Sequence, residues 1–114
     1  MRRLAATGAV SCFEELGIVM NYARINTLTF ASEEAGNTVQ AHYVETAAAT
    51  FDEAILLTFV RSGALNASLT SVYPDKEAFE RSAPIRKERI KAHKDLITGV
   101  YVTEGAVALM HLKT

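Results

Sequence analysis

Asn26 and His93 are the residues whose chemistry stands out. Asn26 lies within Tyr22 to Phe30, a stretch that mixes β-branched and aromatic residues without Gly or Pro. It is predicted to be a strand with Arg24, Asn26, Leu28 and Phe30 on one face. A carboxamide at the edge of an apolar pocket can hold a phenolate, peroxide or carbonyl oxygen, or it can be satisfied by backbone groups. His93 follows Ile90 by three and precedes Ile97 by four, which puts it on the inward stripe of a regular helix. It is the one candidate base near neutral pH among the inward positions; the alternative is a partly exposed or structurally bonded histidine. Tyr73 can supply a phenolic donor, and Phe30, Tyr43, Phe79 and Ile90 can wall a pocket. The same residues would serve equally as core.

Other chemistries have less to stand on. His42 and His111 have no partner at metal-ligand spacing, so no metal site is expected. The one cysteine, Cys12, allows no intrachain disulfide, structural zinc site or CxxC pair, which suits a reducing compartment. Arg86, Lys87, Arg89, Lys91 and Lys94 form a basic helix edge interrupted by Glu88 and Asp95. Such an edge is usually a solvated face, although it can meet an anionic ligand. The sequence has no phosphate-binding Gly loop, Ser-His-Asp arrangement or dinucleotide fingerprint.

These candidates need elements to position them. After the first strand, Ser32 offers an N-cap with Glu33 and Glu34 in the first turn, and a helix is predicted through about Ala48 despite Gly36. Ala54 to Arg61 is a continuous apolar run, Ser62-Gly63 a turn and Leu65 to Tyr73 a second strand, which together predict a hairpin. Lys76 to Leu96 is helical in composition but interrupted by Pro84. Two helices or a kink are therefore expected, with Ser82 or Ala83 capping the second. Thr98 to Thr103 and Ala106 to Leu112 are β-like, joined by Glu104-Gly105.

Strand, helix, strand, strand, helix, strand is the split βαβ order of a ferredoxin-like α+β fold, with helices on one face of an antiparallel sheet. The other face is left apolar, which predicts a homodimer. The 114 residues hold one domain, here 20–114. Residues 1–19 are expected to be an extension, weakly structured or an upstream translation start. Their outline resembles a short export signal, but the apolar run is diluted and Glu14-Glu15 follows at once. Twelve basic against thirteen acidic residues give a net charge of -1, and no global pull toward nucleic acid or an anionic membrane. No stretch approaches the roughly 18 apolar residues of a spanning helix, so a cytoplasmic protein is expected.

Three segments together resemble the antibiotic-biosynthesis-monooxygenase-like family of dimeric α+β barrels. They are Ala23-Arg-Ile-Asn-Thr-Leu-Thr-Phe30, Thr70-Ser-Val-Tyr-Pro-Asp-Lys-Glu-Ala-Phe79 and the closing Gly-rich strand pair. The resemblance spans roughly Met20 to Lys113. It implies a pocket between sheet and helices and, in many members, oxygenase chemistry with no metal or flavin. Asn26, Tyr73 and His93 also resemble the pattern of haem-degrading members. Those enzymes carry a tryptophan where this sequence has about Ser82, and the chain contains none.

Three functions follow as expectations. One is a cofactor-independent monooxygenase of a small aromatic or enolic compound, with His93 as base and Asn26 holding the oxyanion. The others are a haem-binding protein with His93 as axial ligand, and a non-catalytic dimeric binder of a small apolar or aromatic molecule.

Overall fold

A computed structural model describes residues 20–113. The extension expected over residues 1–19 lies outside the described residues. Tyr22–Phe30 forms β1, and the chain then turns through Ser32, whose extended backbone (φ -159°, ψ 168°) starts helix α1, Glu33–Thr50. The Ser32 hydroxyl accepts from the Ala35 amide at 3.0 Å, satisfying one of the helix's unpaired donors. Ala35, Val39, Tyr43 and Ala47 recur every four residues and turn one stripe of α1 toward the sheet.

Strands β2, Leu56–Gly63, and β3, Asn66–Tyr73, form the expected hairpin. Its turn falls at Ala64-Leu65 rather than Ser62-Gly63. The pairing continues past Ser62 because a register shift between Arg61 and Gly63 absorbs the extra residue. Asp75 caps helix α2, Lys76–Arg81, by accepting from the Ala78 amide at 2.8 Å. The expected break follows. Ser82 separates α2 from α3, Ala83–Ala92, with Pro84 in the first turn, where its missing amide proton costs nothing.

The last segment differs from expectation. Ile97–Ala106 is one strand, β4, and residues 107–113 add no second one. Glu104 and Gly105 do not turn the chain because they stay in register with β1, opposite Arg24 and Ala23. The Arg24–Glu104 ion pair, 2.5 Å, fixes that register. Beyond it, the Val107 amide donates to the Asn21 carbonyl at 2.8 Å.

All strand pairs are antiparallel in the order β2-β3-β1-β4. The molecule is thus an α+β fold of ferredoxin-like type with its helices on one face. Two buried clusters lie under them, one around Leu28, Phe30, Val39 and Leu69, the other around Tyr73, Ala78 and Phe79. The opposite face carries Ile25, Leu56, Val60, Val72 and Tyr101, and residues Leu109 and Met110 border a shallow depression on it. Val60 and Tyr101 are 57% and 74% exposed. Among the described residues no helix is long and apolar enough to cross a membrane.

Candidate functional site

Between the two buried clusters the sheet and the helices leave a cavity. Strand β1 contributes Arg24 and Asn26, because alternate residues of a strand share a face. Strand β3 contributes Ser71 and Tyr73, α1 contributes Val39 and Tyr43, and α3 supplies Arg86, Arg89 and Ile90 together with His93 just beyond its last turn. Phe51 and Leu57 complete the apolar wall. The space left between these side chains is about 80 Å³. A benzene ring occupies an engineered core cavity of about 150 Å³. The cavity is open to solvent on one side, so an aromatic ligand would lie partly within it, beside Ile90, which is 39% exposed.

Of the residues singled out in the sequence, Asn26, Tyr43, Tyr73, Ile90 and His93 meet on this one cavity. Phe30 and Phe79 do not border it. Phe30 lies in the core where α1 closes on β1 at Gly36, and Phe79 is clamped between the rings of Tyr22 (4.7 Å) and Tyr73 (5.7 Å). Asn26 is half-buried, and among the described residues its amide has no hydrogen-bond partner.

His93 is the C-cap residue of α3, and its backbone is bonded on both sides: the amide to Arg89 and Ile90, the carbonyl to the amides of Leu96 and Ile97. Its Nε2 lies 3.1 Å from Nδ1 of His42 on α1, with the rings edge to face. The spacing of 51 residues hid this partner, since sequence periodicity relates only positions on one element. Burial, then His42, then Arg89 push the His93 imidazole below its ordinary value, so the ring is neutral at neutral pH. One nitrogen of the facing pair carries the shared proton. When His93 Nε2 donates, its Nδ1 is left with a free lone pair.

The arginines were the larger omission. Arg86 stacks on Phe79 (guanidinium carbon 4.4 Å from the ring centre), donates to the Phe79 carbonyl and contacts the Ser82 hydroxyl. Arg89 lies over Tyr43 and Phe51 at 5.7 and 5.4 Å and donates to Thr46 Oγ1 at 3.1 Å. Arg86 lies four residues before Ile90 and Arg89 four before His93, which marked them as inward, but the run of basic neighbours suggested a solvated edge. Tyr43 keeps its proton, because burial first and the neighbouring Tyr73 next raise its pKa above the ordinary value. No group of three candidate metal ligands occurs among the described residues.

The fold has counterparts among solved structures. A dimeric ferredoxin-like protein from an uncultured marine organism superposes with TM-score 0.67 at 12% identity, covering 83% of this chain and 94% of that one. A candidate antibiotic biosynthesis monooxygenase from Chloroflexus aurantiacus gives 0.64 at 17% identity, with 80% and 96% covered. SnoaB, a cofactor-independent oxygenase from Streptomyces nogalater, gives 0.57 at 19%, with 82% and 96% covered. This chain shares their fold. The resemblance seen in the sequence to antibiotic-biosynthesis-monooxygenase-like proteins is thus matched in architecture over most of the chain. No protein-family model matches the sequence, and no curated protein matches it.

Proposed function

We propose that the chain is a cofactor-independent monooxygenase of a small aromatic or enolic compound, working as a homodimer through the open sheet face. One observation carries this reading: a neutral imidazole and an unpartnered carboxamide face a common, mostly apolar cavity. His93 Nδ1 would take a proton from an activated C–H or O–H group while Nε2 donates to His42, which fixes the tautomer. His42 is exposed and gives the proton a route to water. The Asn26 amide, as donor, would hold the oxygen on which the substrate's negative charge collects. Dioxygen then takes electrons from the resulting carbanion. A methylene becomes a carbonyl, one oxygen atom is retained and the other leaves as water.

The fold shared with SnoaB and the dimeric ferredoxin-like protein supports both parts of the proposal. The apolar side chains of Ile25, Val60 and Tyr101 on the open face support the dimer. Haem fits this cavity poorly. The free space is far below the size of a porphyrin.

Oxygen uptake with an enolisable ketone such as anthrone tests the reading. His93→Ala is expected to lower the rate about a hundredfold or more, the usual contribution of a general base. Tight anthrone binding with no uptake by the wild type would instead favour a non-catalytic binder.

A further inference from the structure

Arg24, Arg86 and Arg89 all border the cavity, yet they are not equivalent. Arg24 is neutralised by Glu104 at 2.5 Å. Arg86 and Arg89 form no ion pair among the described residues, although Glu104, already paired with Arg24, also lies near enough to Arg86 to favour its charge. Arg89 spends only Nη1 on the protein, against the Thr46 hydroxyl, whereas Arg86 uses Nη1 on the Phe79 carbonyl and Ser82 hydroxyl and also meets the Tyr73 hydroxyl. A guanidinium has five N–H donors in a flat fork, so Nε and Nη2 of Arg89 and part of the Arg86 fork remain available. Ring stacking on Phe79, Tyr43 and Phe51 holds the two forks in place, so little side-chain entropy is lost when a ligand meets them. Residues three apart on a helix lie on one face, so both forks belong to the same wall.

A half-buried cation without a counter-ion is unfavourable, and two on one wall more so. Burial, and for Arg86 also the neighbouring Arg24, already weakens proton binding by both side chains. An anionic ligand removes that deficit, and a planar carboxylate matches the guanidinium fork.

We propose that Arg86 and Arg89 form an oxyanion-recognising wall, and that the compound taken by this cavity is an aromatic or enolic acid bearing a carboxylate. The inference rests on the monooxygenase reading only in using the same cavity. The apolar surface of Leu57, Phe51 and Val39 receives the ring, and the carboxylate lies toward α3. Arg86 and Arg89 thereby set which substrates enter and how they are oriented toward Asn26 and His93. Lys87, Lys91 and Lys94 do not border the cavity and add only to the attraction of anions at a distance.

The test is a pair of probes nearly equal in shape and different in charge, salicylate and salicylamide, titrated by fluorescence at pH 7.5 without oxygen. The wild type is expected to bind salicylate about tenfold more tightly, the effect of a charge-assisted hydrogen bond. Arg86→Met and Arg89→Met should each bring the two probes within about twofold of one another, and the Lys variants should keep an intermediate preference. Equal wild-type affinities would overturn the proposal, as would a preference that survives both Met substitutions. The wild-type comparison decides even if a variant does not fold. A charge preference without oxygen uptake from any enol removes the monooxygenase reading alone. Uptake from neutral enols with no charge preference removes this inference alone.

Discussion

At the scale of single residues, the facing imidazoles of His42 and His93 make the most specific statement. Burial, His42 and Arg89 all favour neutral His93, so its folded pKa lies below the ordinary value near 6.5. The unfolded chain binds the proton more readily, so stability is lost as pH falls from about 6.5 toward the lower folded value. His93→Gln should flatten that part of a melting-temperature profile, and the His93 imidazole should titrate below 6.5 by NMR. A value at or above 6.5 would remove the electrostatic account. His42→Ala should leave the fold intact but lower oxygen uptake, because the tautomer of His93 is then unfixed. The sequence made Asn26, Tyr43, Tyr73, Ile90 and His93 legible because each shares a strand or helix periodicity with apolar neighbours. It did not reveal the contact of His42 with His93 or the place of Arg86 and Arg89 on the cavity wall, since a contact between α1 and α3 depends on how two helices are laid across a sheet.

At the scale of elements, α1 shows what its glycine does. A Cβ at Gly36 would lie 2.6 Å from Arg61 Nη2 and 2.7 Å from the Phe30 ring. Neither atom can retreat easily. Phe30 is fully buried, and Arg61 is pinned to Asn37, Gln40 and the carbonyls of Gly63 and Ala64. Alanine gains about 1 kcal/mol of helix propensity over glycine, but overpacking costs about 1–3 kcal/mol. Gly36→Ala should therefore lower the thermal midpoint, and a rise would show that Arg61 yields. Ser32→Ala should cost about 1 kcal/mol by urea denaturation through loss of the cap. The cap at Ser32 and the break at Pro84 were legible because they are local. The ends of β2 and β4 were not, because the register of β4 against β1 is set by Arg24 and Glu104, 80 residues apart.

At the scale of the whole molecule, the open sheet face predicts association. Sedimentation at micromolar concentration should show a dimer, and Ile25→Lys, which puts a charge at the centre of that face, should give a monomer of lower stability. A wild-type monomer would remove the dimer. Stability is also spread unevenly through the chain. Helix α3 has no buried residue, while β1 and β3 at the centre of the sheet carry Leu28, Phe30, Ala67 and Leu69. The wall that carries the arginines is thus fastened by a few polar contacts at its rim: Arg86 with Phe79, Arg89 with Thr46 and His93 with His42. In amide hydrogen exchange, residues 83–92 should open far more often than the central strands, at a free energy well under that of global unfolding. Each opening widens the cavity on the side where a carboxylate is to be met, so a bound acid should slow exchange in α3 before it slows it anywhere else.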